Sequence, residues 1–286
     1  MILIFSASMI GFFVRIAQLY SGTGGFPRLK EGKTMDIGHK LMGEGASRVL
    51  VLHGWLGDQR IFEPMFDSLN LESFTYAFMD YRGYGCSRDL AGVYTMDEIA
   101  GDAFALADKL GWDWFYVVGH CMGGMVAQHL VADAPDRVRA AVLIAPVPAC
   151  GMHFDEDTWA LFHGAIEDPM KRAGIVDFAT GSRLSATWLD AMSARSVACS
   201  TREAFAGYLD AWMKTDFSAR LQGGAHRMKV LVGEYDPAMT PALMNQTLLA
   251  WNHRAEMEIL PNCGHYPMLE TPVYLATVME RFLNGA

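Results

Sequence analysis

Gly119-His-Cys-Met-Gly-Gly124 sets a thiol, Cys121, between glycines two residues before and two residues after it. A nucleophile carried on a sharp turn from strand to helix has crowded neighbours, so those two flanking positions must be small. Such a turn lifts the Cys121 side chain clear of the sheet. It also aims a helix N-terminus at the same point, where backbone N–H groups can hold developing negative charge. A thiol, with an ordinary pKa of about 8.5, ionises far more readily than a hydroxyl, and its acylated form is a thioester. The competing reading is a buried, inert cysteine, a common fate for a free thiol. Glycine spacing together with the strand-to-helix context favours the nucleophile.

Two further segments complete a reaction centre. Val232-Gly-Glu-Tyr-Asp-Pro237 follows an apolar run, and Asn262-Cys-Gly-His-Tyr-Pro-Met-Leu-Glu-Thr-Pro272 follows another. With the elbow around Cys121 they resemble the α/β-hydrolase family, although that family most often places Ser at the elbow. The resemblance implies the chain order nucleophile, acid, histidine: Cys121, then Asp236 as orienting acid, then His265 as base. Glu234 is the rival acid; the Asp-Pro placement favours Asp236. The same resemblance implies an oxyanion hole from the backbone N–H groups of Met122 and of Trp55, the latter in His53-Gly-Trp-Leu-Gly57. His53 and His120 are expected to shape their loops by hydrogen bonding, and Asp80 and Arg82 to be structural.

These loops must be held by a regular frame, and the hydrophobic pattern supplies one. Short β-branched runs alternate with amphipathic stretches, which argues for a mostly parallel central sheet with helices on both faces. Strands are predicted at 48–52, 74–79, 115–118, 138–144, 228–232 and 255–260, with helices at 96–110, 122–134 and 272–283. The stretch from 147 to 224 breaks the alternation. It is helical in character, rich in Trp, Met and Phe, and too long for a simple connection. The expected organisation is an N-terminal extension at 1–26, an α/β core at 27–146 and 225–286, and an inserted helical cap at 147–224. The apolar segment at the N-terminus reads as an extension or lid-like helix, with a signal peptide the alternative; it lacks a basic leading region and a clear cleavage site and is too short to span a bilayer.

Composition narrows the function. Of 286 residues, 51% are hydrophobic, and 23 Lys and Arg face 32 Asp and Glu for a formal charge of −9. Without a basic patch, nucleic acid is not an expected partner. Five scattered cysteines suit reduced thiols in a cytoplasmic protein rather than a disulfide framework. No zinc, dinucleotide or P-loop signature is present, so neither a cofactor nor a metal is expected. In the insertion, Trp159, Phe162, Trp188, Met192 and Trp212 are candidates for an apolar substrate lining.

The expected activity is hydrolysis of an ester, thioester or lactone of a small hydrophobic acyl or aromatic substrate through an acyl-enzyme on Cys121. Acyl transfer to an amine, alcohol or thiol is the alternative enzymatic reading, and a non-catalytic small-molecule receptor the alternative outside catalysis. Stable membrane insertion is not expected; a homodimer and a Cys-for-Ser replacement at position 121 both stay open.

Overall fold

The computed structural model describes residues 36–285. The expected N-terminal extension and lid-like helix lie outside the described residues. Seven strands form one sheet: β1 His39–Met42, β2 Ser47–Leu52, β3 Phe74–Met79, β4 Phe115–His120, β5 Val138–Ile144, β6 Met228–Gly233 and β7 Ala255–Leu260. Their order is β1-β3-β2-β4-β5-β6-β7. Only β1 runs antiparallel; the other neighbours pair in parallel. The central strands are continuous apolar runs, as a parallel sheet covered on both faces requires. Val49 to Leu52 and the whole of β4 are buried.

Six of the seven strands coincide with the predicted runs, two of them extended at the C-terminal end by His120 and Gly233. β1 was not predicted. Its four residues, His-Lys-Leu-Met, are only half-buried or exposed and lie on an edge, so they carry no core pattern.

On one face, Val51, Phe78, Val118 and Ile144 meet Phe62 and Met279. Phe62 belongs to a 3-10 helix at Gln59–Ser68, and Met279 to the C-terminal helix. On the opposite face lie helix α1, Met96–Lys109, and helix α2, Met122–Asp133. A side chain at Gly119 would point toward α2, because its Cβ would come within 2.2 Å of the Gly123 carbonyl.

Between β5 and β6 four helices are inserted: α3 Glu156–Gly164, α4 Pro169–Ala179, α5 Ala186–Cys199 and α6 Arg202–Lys214. Each opens on a capping side chain, Asp155, Asp168, Ser185 and Thr201, that accepts from a backbone N–H in the first turn. After β7, helix α7 at Pro272–Asn284 closes the chain.

Backbone packs closely under the elbow. A Cβ on Gly123 would stand 2.5 Å from the Leu52 carbonyl and 2.6 Å from that of His53. These are backbone atoms of β2 and its loop, which cannot move aside. Gly123→Ala should therefore cost at least about 3 kcal/mol or abolish folding. Gly174, exposed in α4 with open space at its Cβ position, makes the contrast. Gly174→Ala should gain about 0.5–1 kcal/mol through helix propensity. Denaturant unfolding of both variants checks the pair, and a mild Gly123→Ala would contradict the packing argument.

Candidate active site

Cys121 sits between β4 and α2 with φ 54° and ψ −116°. That conformation is sparsely populated for a residue with a Cβ, and holding it costs about 1–3 kcal/mol. Surrounding hydrogen bonds enforce it. The Cys121 N–H donates to the Ile144 carbonyl, and the Cys121 carbonyl accepts from Gly124, Met125 and Val147. The side chain is neither buried nor fully exposed.

His265 follows β7 and Asp236 follows β6. The His265 Nδ1 lies 2.7 Å from Asp236 Oδ2, and both side chains are buried. Asp236 Oδ1 accepts from the backbone N–H groups of Ala238 and Met239, so both of its oxygens are engaged. Glu234, by contrast, is exposed and accepts from the Asn262 N–H. With Nδ1 committed to Asp236, Nε2 is the nitrogen left for the Cys121 sulfur. Burial by itself would lower the pKa of His265. The Asp236 carboxylate and the neighbouring Cys121 outweigh it and hold the imidazole well above its ordinary range. The structure thus brings Cys121, His265 and Asp236 together in one constellation.

The other thiols are set up differently. Burial pushes Cys199 up to about 12 and Cys263 up to about 11, and it raises Cys86 and Cys150 as well. Cys121 is the thiol that is hydrogen-bonded to the His265 imidazole.

Trp55 and Met122 flank the thiol. A Cβ on Gly54 would lie 3.0 Å from the Cys121 Cβ, which puts the Gly54–Trp55 peptide against the Cys121 side chain. Among the described residues the N–H groups of Trp55 and Met122 have no hydrogen-bond partner, so both are free to donate. His120 donates through Nε2 to the His265 carbonyl at 2.8 Å, and burial pushes its pKa well below the ordinary value. His53 lies 2.8 Å through Nδ1 from the Gly54 carbonyl, and burial lowers its pKa too. Asp80 is buried and accepts from the backbone N–H groups of Gln59 and Cys86, tying two loops together. Arg82 pairs with Asp102 at 2.7 Å.

A cavity opens over Cys121. Its walls come from the core at Trp55, Ile61 and Tyr266 and from the insertion at Phe154, Phe162 and Trp212. Of the five candidate lining residues, Phe162 and Trp212 reach it. Trp159, Trp188 and Met192 are not among its lining residues. On α3 the residues facing the cavity are Thr158 and Phe162, four apart, and Trp159 is turned about 100° from Thr158 toward His163 and Lys214. Trp188 lines a separate surface groove with Arg183 and Glu270, and Met192 is buried within the inserted helices. Ile61, Phe154, Ile175, Phe178 and Met239 line the cavity without having been singled out in the sequence. They lie on irregular segments or on helices whose facing could not be assigned from periodicity.

Comparison with known proteins follows this geometry. A family description reading alpha/beta hydrolase fold matches residues 47–167. The chain has the α/β-hydrolase fold. An esterase from Exiguobacterium antarcticum superposes on this α/β-hydrolase-fold chain with a TM-score of 0.77 and 19% identity, over 87% of this chain and 95% of that one. A pimeloyl-[acyl-carrier protein] methyl ester esterase of Nitrosomonas europaea is 27% identical over 236 residues, covering 78% of this chain and 90% of the relative. The dihydrolipoyllysine-residue acetyltransferase component of the acetoin cleaving system of Cupriavidus necator is 37% identical over 105 residues, which are 37% of this chain and only 28% of that protein. Among the described residues no group of His, Cys, Asp and Glu could hold a metal ion. No helix among them is long and apolar enough to cross a membrane.

The raised pKa of His265 fixes the sign of a pH dependence. Between about pH 6.5 and its folded pKa the native state holds a proton that the unfolded chain has released, so stability falls as pH rises. The Asp236–His265 contribution is complete below about pH 6.5 and fades as pH climbs through the folded value. Asp236→Asn should therefore lower unfolding free energy most near pH 6 and by progressively less as pH rises, in denaturant titrations of both proteins. A deficit that grows with pH would contradict the buried ion pair.

Proposed function

We propose that the protein is a hydrolase that acts through a covalent acyl-enzyme on Cys121. As an enzyme of the α/β-hydrolase fold it acts on ester-type substrates, in keeping with its esterase relatives. The observation that carries the covalent reading is the chain of contacts Asp236–His265–Cys121 at the floor of the cavity.

In this reading the Cys121 thiolate attacks the substrate carbonyl carbon. The carbonyl oxygen takes the negative charge and meets the N–H groups of Trp55 and Met122. As the tetrahedral centre collapses, the bond to the leaving oxygen breaks, and that oxygen takes the proton from the His265 imidazolium. The neutral imidazole then removes a proton from water. The resulting attack on the thioester releases the acid and restores the thiolate and imidazolium. Asp236 holds His265 in the Nδ1–H tautomer throughout. The inserted helices act as a cap, since Phe154, Phe162 and Trp212 close the cavity from above while the triad stays on core loops.

The lining also indicates the substrate. Apart from the reacting Cys121–His265 pair and the neutral His120, the cavity wall is apolar or uncharged, with no Lys, Arg, Asp or Glu. A buried carboxylate with no partner costs several kcal/mol, so the acyl group is uncharged as well as hydrophobic. Methyl 4-methylpentanoate and monomethyl succinate have nearly the same shape and differ in the charge at the end of the acyl chain. The neutral ester should be preferred by about 10²-fold or more in kcat/KM, followed by methanol release. Equal rates would place the acyl group outside this cavity.

Intact-mass spectrometry after exposure to aryl esters and acyl thioesters tests the covalent step. An acyl adduct on Cys121 that decays in water supports hydrolysis. One that decays only on adding an amine or alcohol assigns acyl transfer instead, and no adduct with any probe leaves ligand binding without turnover. Cys121→Ala should abolish the adduct and lower kcat by at least about 10³-fold while leaving the melting temperature nearly unchanged. Residual turnover near the parent's rate would remove Cys121 from the mechanism.

A further inference from the structure

The Trp55 peptide lies in a loop between β2 and the 3-10 helix, yet one of its anchors lies 150 residues further on. The indole Nε1–H donates to the Phe205 carbonyl in α6 at 2.7 Å, fully buried. The Phe205 ring stacks on the same indole with centroids 4.0 Å apart, and Phe162 of α3 stacks parallel to it at 5.7 Å. On the core side, the Tyr84 hydroxyl donates to the Trp55 carbonyl at 2.9 Å. The Phe205 ring is in turn held by the buried Arg172 guanidinium, 3.6 Å from the ring centre. Arg172 Nε donates to the Ala165 carbonyl at 2.9 Å, and NH1 donates to Ser196 Oγ at 3.2 Å. Arg172 thereby joins α4 to α5 and to the α3–α4 connection.

We infer that the inserted helices, through the Phe205 carbonyl and the Arg172–Phe205–Trp55 stack, position the Trp55 backbone N–H that receives the oxyanion. The inference rests on the reading of Trp55 as an oxyanion donor at the Cys121 site. An oxyanion donor must stand within about 2.7–3.1 Å of the charge that develops, and a displacement of about 1 Å costs on the order of 10²-fold in rate. A loop peptide held only by its own neighbours would not meet that tolerance. Here the indole is clamped from the insertion side and the carbonyl from the core side, so the N–H between them is fixed. The insertion therefore has a second task beside lining the cavity, and Phe205 and Arg172 are positioning residues rather than catalytic ones.

Trp55→Phe keeps a ring between Phe205 and Phe162 and removes only the indole donor. With 4-nitrophenyl butyrate as probe, kcat should fall by about tenfold or more while KM changes less than about threefold. Alkylation of Cys121 by iodoacetamide passes through no oxyanion, so its rate should stay within about twofold of the parent. A merely structural disturbance of the thiol and His265 would slow both reactions together. Phe205→Leu, which loosens the stack and leaves the carbonyl in the chain, should show the same split to a smaller degree and covers the case in which Trp55→Phe does not fold. An unchanged kcat in these variants overturns the positioning role, and so does a parallel loss of esterase activity and alkylation. Failure of the parent itself to form an acyl adduct on Cys121 would instead remove the underlying reading, and the positioning role with it.

Discussion

The site depends first on one backbone constraint, the left-handed conformation of Cys121 at the joint of β4 and α2. A side chain held there stands proud of the strand ends, and the first N–H of the helix points at the same region. Both consequences require β2 and β4 to approach α2 closely enough that Gly123 meets the Leu52 and His53 carbonyls. The strain at Cys121 is therefore sustained by sheet register, through Ile144 on the next strand and Val147 beyond it. Parallel pairing of β2, β4 and β5 fixes where the loop bearing Trp55 and the turn bearing Cys121 emerge, side by side at the same edge.

The second constraint is electrostatic. A buried imidazole beside a buried carboxylate is stable as a charged pair only when the carboxylate is otherwise satisfied. Asp236 meets that condition with two backbone donors from the turn that follows it. Fixed in this way, it holds His265 in one tautomer and outweighs the desolvation that makes His53 and His120 neutral. Three buried histidines thus lie close together in opposite protonation regimes. The difference is the carboxylate that hydrogen-bonds His265, since Asp80 lies 3.9 Å from His53 and spends its hydrogen bonds on Gln59 and Cys86.

Much of this was legible from local pattern because the informative elements are under strong local demands. Central strands buried on both faces must be continuous apolar runs, and β3 and β5 start and end where their runs do. The elbow glycines were visible because backbone contact leaves no room for a Cβ. What stayed hidden was set by facing and by distant contacts. On α3 the spacing Trp159, Phe162, His163 does not say which residue turns inward, and the answer depends on where α6 lies across it. Met170 illustrates the same limit, an apolar residue that is 82% exposed at the start of α4. Edge strand β1 has no buried face to leave a signature, and the partners of Trp55 lie 150 residues away.

Those distant partners change how the insertion should be regarded. A long segment between two core strands looks free to vary, since its helices open on their own caps and three of the four hold buried side chains. Yet its helices reach the Cys121 site through two backbone carbonyls. The Phe205 carbonyl of α6 holds the Trp55 indole, while the Ala179 carbonyl, at the end of α4, accepts from the His265 N–H at 3.0 Å. Main-chain carbonyls are present whatever the side chain, so these two tethers tolerate sequence change in the insertion but not a shift of its helices. Substitutions that repack α4 against α5 or α6 will therefore be felt at His265 and the Trp55 loop before any cavity residue is altered, whereas changes confined to Phe154 or Phe162 reach the cavity first. Selectivity and rate are separable here only to the extent that the helices keep their places.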